Sequence, residues 1–318
     1  MNRFIRQLLP FGTLILLIAA LSALEPDTFL TTENFFNVLS RSSVNGIIAM
    51  GMTAVIISGG IDLSVGSMMA VSGMVAGLVM TRDGTIVPTP GLMWLGTLAG
   101  LATGFACGLL NGTLITRLHL PPFIVTLGTM SAFRGISYVM NDGMMFDVPT
   151  YTFLGQSTVA SIPVNVLIFL TVALLGFFIL RYTPLGRYTY AIGSNRQAAY
   201  HAGVNVDRNL LIIYTLTGLF VGLAAMIATS RTVSAQPTAG VSLELDVIAA
   251  VVIGGASLSG GRGTVVGTII GTLLISFLRN GLTLLGISTN IQLVVIGAII
   301  IGAVAIDQMA RAKAAESR

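Results

Sequence analysis

Asp62 sits in Gly59-Gly60-Ile61-Asp62-Leu63-Ser64-Val65-Gly66-Ser67, where one carboxylate, two hydroxyls and three glycines interrupt strongly apolar surroundings. Such a group offers acceptors and donors to a small polar solute. The other polar side chains inside or beside apolar runs that suit a path are Asn45, Thr53, Asn111 and Arg134, with Asn141 just beyond. A guanidinium among apolar neighbours is costly unless it is paired or reaches the interface, so Arg134 is either a pathway residue or half of a structural pair. Asn and Thr in such runs also satisfy helix backbones, which is the plainer role for each of them. Hydrolytic and metal chemistry have no support. There is no H-E-x-x-H or Ser/His/Asp arrangement, His119 and His201 stand far apart, and Cys107 is the only cysteine.

The elements that must hold Asp62 are helices in a membrane. Residues 44–80 are apolar or small almost throughout, and as one helix they would extend roughly 55 Å, against a hydrocarbon core of about 30 Å. The chain has to break, and Gly59-Gly60 is the place, with Asp62 capping a helix that resumes at Leu63. Two readings follow: a turn at the membrane face with Asp62 as a structural cap, or a discontinuous helix whose polar elbow faces a substrate path.

With 54% hydrophobic residues, 9% charged residues and a mean hydropathy of +0.91, the chain is an all-α polytopic membrane protein. Its 37 glycines, spread through apolar segments, imply close helix packing and several broken elements. The net charge of +4 comes from scattered arginines, with no basic block suited to nucleic acid. Apolar runs at 8–24, 44–58, 65–80, 92–115, 123–140, 163–180, 210–230, 246–258, 264–278 and 291–306 predict about ten spans in a single domain, residues 1–318. The first is read as an uncleaved span rather than a signal peptide, and residues 25–43 as an external segment with a short helix along the interface. Alternation puts Arg3, Arg6, Arg117, residues 181–208, Arg262 and the tail residues Arg311, Lys313 and Arg318 on one side. The positive-inside bias makes that side, and both termini, cytoplasmic. Glu244 and Asp246 then fall at an external end, where they cap a helix or meet a partner.

Two further patterns stand out. Gly59-Gly60-Ile61-Asp62-Leu63-Ser64 is echoed by Gly254-Gly255-Ala256-Ser257-Leu258-Ser259, followed by Gly260-Gly261-Arg262. Internal repeats of this kind build many transporters, and Ser257 would then replace the acid. The largest basic loop, 181–208, carries Arg187 and the run Asn195-Arg196-Gln197-Ala198-Ala199-Tyr200-His201-Ala202-Gly203. There Asn195 is placed to cap a short helix that Gly203 ends. That helix is too short to stand alone and must dock, on its own spans or on a cytoplasmic partner. Lys313 is the only lysine, so no phosphate-binding loop of the G-x-x-x-x-G-K type exists in the chain.

At Gln197-Ala198-Ala199, three residues, then Gly203, the loop resembles the E-A-A-x-x-x-G segment by which permease subunits of bacterial ATP-binding-cassette importers grip their ATPase, with Gln197 in place of Glu. The resemblance widens to Gly51-Met52-Thr53, Gly59 to Ser67, Thr126-Leu127 with Arg134-Gly135, Leu185-Gly186-Arg187-Tyr188, Ser234 to Gly240, Glu244-Leu245-Asp246 and Gly254 to Gly263. All of these look like the ribose-type sugar permeases, over residues 29–292.

The resemblance implies an inner-membrane permease for a monosaccharide, ribose or a related sugar, handed over by a periplasmic sugar-binding protein. The chain itself would not be an enzyme and would hold no cofactor, ATP and Mg being bound by an ATP-binding-cassette subunit docked at Arg187, Asn195, Arg196, Gln197, Ala198, Ala199 and Gly203. A second permease copy, or a related permease, would complete a pathway set in membrane lipid. Under this reading Asn45, Thr53, Asp62, Ser64, Asn111, Arg134 and Asn141 line the path, Gly59, Gly60, Gly254, Gly255, Gly260, Gly261 and Arg262 form the elbows, and Glu244 and Asp246 face the binding protein. The alternatives are an ion-coupled carrier of a small polar solute, or an importer of autoinducer-2 or branched-chain amino acids.

Overall fold

The computed structural model describes residues 3–84 and 87–316, so Arg318 and two residues of the turn-rich loop 81–90 lie outside the described residues. The chain is almost wholly helical: α1 (Arg3–Leu24), α2 (Pro26–Phe29), α3 (Thr32–Ile57), α4 (Val65–Met80), α5 (Pro90–Arg117), α6 (Pro122–Val139), α7 (Val164–Tyr182), α8 (Pro184–Ser194), α9 (Arg196–His201), α10 (Val206–Thr232), α11 (Leu243–Ile253), α12 (Val265–Leu284) and α13 (Thr289–Glu316). Each apolar run read from the sequence has its helix. By length and apolar composition, α3, α5, α7, α10 and α12 are able to cross a membrane, while α4 and the apolar parts of α1 and α13 are shorter. The all-α expectation needs one amendment. Four two-residue strands, β1 (Phe146–Asp147), β2 (Thr158–Val159), β3 (Ile162–Pro163) and β4 (Ser234–Ala235), pair antiparallel as β1 with β4 and β2 with β3.

A second correction concerns residues 25–43. Only the single turn of α2 stands apart; from Thr32 the chain is already α3, unbroken to Ile57. Thr31 caps it by accepting from Asn34 N at 3.2 Å, and Ser42 and Ser43 fold their hydroxyls onto the helix's own carbonyls, Ser42 on Val38 at 2.6 Å and Ser43 on Ser40 at 2.7 Å. Polar side chains satisfied in this way lose their preference for water. Asn34 and Asn280 exchange hydrogen bonds between α3 and α12, and Asn165 Nδ2 donates to Ser40 Oγ at 2.6 Å, tying α7 to α3.

The core is one apolar cluster around α3, α4, α10 and α11, built from Ile47, Met52, Ile56, Met68, Tyr214, Met226 and Val251 among others. The most extensive helix pairing is α5 with α10. Gly104 and Gly108 face Gly218 and Gly222 so tightly that no Cβ fits at Gly104, Gly108 or Gly218. Small residues at such a crossing let backbones meet without help from water exclusion, which lipid does not provide.

Candidate functional site

Both glycine-rich elbows are built the same way. At the end of α3, Gly59 takes φ +85, its N–H bonds Ile56 O at 3.0 Å, and Gly60 N bonds Val55 O at 3.0 Å. At the end of α11, Gly255 takes φ +93, its N–H bonds Val252 O at 2.9 Å, and Ala256 N bonds Val251 O at 3.1 Å. This is the left-handed glycine stop that satisfies the last carbonyls of a helix. The same stop also ends α9 at Gly203 and α12 at Gly286, so the two elbows share it without its being particular to them, and it gives the sequence echo a different register. Gly59 matches Gly255, not Gly254, and the second elbow is four residues longer before its next helix. Counted forward from the glycine, the counterpart of Asp62 is Leu258; counted back from the next helix it is Arg262. From neither side is it Ser257.

Asp62 accepts from Ser64 N at 2.9 Å and from Ser64 Oγ at 2.6 Å, and Asn111 Nδ2 of α5 donates to the same Ser64 Oγ at 2.9 Å. The acid thus holds the turn just ahead of α4, which begins at Val65 rather than Leu63. Asp62, Ser64, Asn111 and Tyr214 are all fully buried. They face one another, with the Tyr214 hydroxyl against Gly60. Asn111 stands six residues from the end of α5 and Tyr214 eight from the start of α10, about 9 Å and 12 Å along those helices. The elbow is consequently inside the bundle, as a discontinuous helix requires; Asp62 Oδ1 holds the turn, and Oδ2 is buried without a hydrogen-bond partner.

The other pathway candidates are scattered. Thr53 is buried, bonded to Ala49 O at 2.6 Å and to Thr268 Oγ1 of α12 at 2.7 Å. Asn45 is half-buried on α3. Asn141 closes a turn beyond α6 by donating to Met144 O at 3.2 Å and Met145 O at 3.0 Å. Arg134, half-buried on α6, donates from Nη1 to Pro237 O at 2.6 Å and Ala239 O at 2.8 Å. It pairs with backbone carbonyls, where the sequence had suggested an acid or a solute.

Glu244 and Asp246 are held against other helices of the bundle. The Glu244 carboxylate lies beside Gly66 in the first turn of α4, and Asp246 is buried against Arg279 Nη2 of α12 at 2.8 Å. The reason is that the chain has already descended into the bundle before α11 begins. The Asp246–Arg279 pair was missed in the sequence, although a lone arginine and a lone acid in neighbouring apolar runs are the signal for it.

The basic loop folds as α8 and α9. Asn195 Oδ1 accepts from Ala198 N at 2.9 Å and starts α9; Gly203, at φ +82, ends it. Ala199 docks with Ile192, Val206 and Leu210 of the chain's own helices, leaving Arg196, Gln197, Ala198, Tyr200 and His201 exposed, with Arg187 exposed on α8. In its last turn, next to α9, α8 meets both elbows. Gly193 rests on the carbonyl of Ile57, Gly261 N bonds that same carbonyl at 2.8 Å, and Tyr190 Oη donates to Gly263 O at 2.9 Å. Burial pushes the Tyr190 phenol above its ordinary value, partly opposed by Arg181. Arg262, exposed beside this junction, contributes its carbonyl to Ser257 N at 3.0 Å. The arrangement joins an exposed helical knob to the two helix breaks through backbone contacts and the Tyr190 hydroxyl.

Residues 34–304 match the family described as branched-chain amino acid transport system / permease component. The chain is 45% identical over 308 residues to the ribose import permease protein RbsC of Bacillus subtilis, covering 95% of this chain and 93% of that protein. It is 41% identical over 313 residues to the ribose import permease protein RbsC of Haemophilus influenzae, covering 96% and 94%. It is 38% identical over 304 residues to the D-allose transport system permease protein AlsC of Escherichia coli, covering 94% and 90%.

Proposed function

Because the chain belongs to the permease-component family of branched-chain amino acid transport systems, we propose that it is the membrane-spanning permease subunit of an ATP-binding-cassette importer that carries ribose or a closely related monosaccharide. The observation that carries this reading is the likeness to ribose import permeases over nearly the whole length of both chains. The exposed face of α9 supports it, because a docked helix with a free outer surface is the form an ATPase contact requires.

In this scheme the chain is a multi-pass protein of the bacterial inner membrane with ten spans and both termini cytoplasmic, forming one permease domain. ATP and Mg belong to a separate ATPase subunit that grips residues 195–203. A sugar-binding protein delivers the solute from the opposite side, and a second permease copy completes the path. ATP binding draws two α8–α9 knobs together, and Gly193 and Tyr190 carry that displacement to the elbows at Ile57 and Gly263.

The test is purification of the chain from its native membrane in gentle detergent, identification of what accompanies it, and uptake assays on the reconstituted assembly. The expected result is an ATP-binding-cassette subunit and a sugar-binding protein, with ribose uptake that needs ATP on the ATPase side and continues when the proton gradient is collapsed. A solitary chain whose transport follows the proton gradient would replace this reading with an ion-coupled carrier.

A further inference from the structure

Between β4 and α11 the chain descends along α4 without forming a helix. Ala235 packs on Gly77, and Gly240 packs on Gly66. Those two α4 positions are eleven residues apart, about 16 Å along the helix axis. Gly240 therefore lies about 21 Å from the Met80 end of α4, deep within a core about 30 Å thick.

Irregular backbone at that depth is tolerated only where protein buries it or water lines it. One side of the segment is buried: Arg134 Nη1 takes the carbonyls of Pro237 and Ala239, and Ser137 Oγ reaches Pro237 O at 3.3 Å. The other side is open. Thr238 is exposed, and Val241 is 63% exposed. On α6, Ser131 is exposed and nothing lies near a Cβ placed at Gly128 or Gly135, between the exposed apolar side chains Ile124 and Val139. The open face of α7 presents Leu170, Leu174 and Phe178. Bulky apolar side chains suit lipid; small residues beside unwound backbone suit water and a polar solute.

We propose that residues 236–242, clamped by Arg134, form a wall of the sugar path, with the Thr238 hydroxyl contacting the sugar and Arg134 acting as a positioning residue behind it. This rests on the importer reading given above. The Asp62 cluster, fully buried between α4, α5 and α10, is then a support for α4 rather than part of the wall.

Single cysteines test the wall. Thr238→Cys, Val241→Cys and, as a lipid-face control, Leu174→Cys are made in a Cys107→Ala chain and expressed with the whole transporter. Membranes are then treated with a charged, membrane-impermeant thiol reagent. A thiol reacts as its thiolate, which water supports and hydrocarbon does not, so the first two are expected to be modified at least roughly tenfold faster than the control. Thr238→Val should lower ribose uptake, and Thr238→Ser should restore it. Modification of both path positions as slow as that of Leu174→Cys overturns the wall, and full uptake by Thr238→Val overturns the sugar contact. Fast modification in a transporter whose parent chain takes up no ribose supports the wall and places the failure in the substrate assigned above.

Discussion

Gly193 of α8 lies directly on the carbonyl oxygen of Ile57, the last residue of α3, with no room for a Cβ between them. The contact is backbone on backbone, and the same Ile57 carbonyl accepts the Gly261 N–H at 2.8 Å. One oxygen therefore joins the knob helix to both elbows.

Gly193→Ala should break this junction, since the added methyl meets fixed backbone rather than a movable side chain. Overpacking of this kind costs about 1–3 kcal/mol. The expected outcome is a chain that inserts and co-purifies with its ATPase but turns over ATP with much less uptake per nucleotide. The ratio of ribose transported to ATP hydrolysed in proteoliposomes measures it, and an unchanged ratio would remove Gly193 from the coupling route.

Asp62→Asn keeps an oxygen able to accept from Ser64 N and Ser64 Oγ, whereas Asp62→Ala strands both donors in a fully buried site. Leaving buried groups unpaired costs about 1–3 kcal/mol each. Thermal unfolding of the purified chain should show Asn close to the parent and Ala clearly lower, with uptake retained in the Asn variant. Lost uptake by a stable, assembled Asp62→Asn chain would return this carboxylate to the path.

Arg134→Lys retains charge, but its side chain is one atom shorter, and its ammonium stops short of the place from which Nη1 reaches both Pro237 O and Ala239 O. Uptake should fall severalfold while the amount of inserted protein holds. Arg134→Ala should fall further and also lower stability, because two carbonyls lose their donor. Equal uptake by all three chains would dissociate Arg134 from the descending segment.

Gly203 has open space around it, so any cost of replacing it comes from its φ of +82. Asn visits this left-handed region routinely and most residues do so at about 1–2 kcal/mol. Gly203→Asn should co-purify with the ATPase at the parental level, and Gly203→Arg should recruit little. Normal recruitment by Gly203→Arg would exclude α9 as the docking helix.

Much of the architecture was legible in the chain because the signals are local. Apolar runs give helices, and the left-handed glycines at 59, 203 and 255 with the caps at Asn195 and Thr264 mark where helices stop and start. The exposed short helix α9 was readable for the same reason: its cap, its alanines and its stop lie within nine residues of one another. The ten apolar runs, the break at Gly59-Gly60 and the short helix after Asn195 needed nothing beyond neighbouring residues.

What the tertiary structure decided depends on residues far apart in the chain. That Asp62 turns inward to Ser64 and Asn111, that Arg134 holds carbonyls more than a hundred residues away, and that Glu244 lies beside Gly66 are outcomes of packing. The register of the repeat belongs here too, since Gly254-Gly255 offers two glycines of which only the second turns left-handed. Hydropathy and capping report how a segment behaves with its immediate neighbours. The direction a polar side chain faces inside a bundle is set by which distant backbone comes close enough to need it.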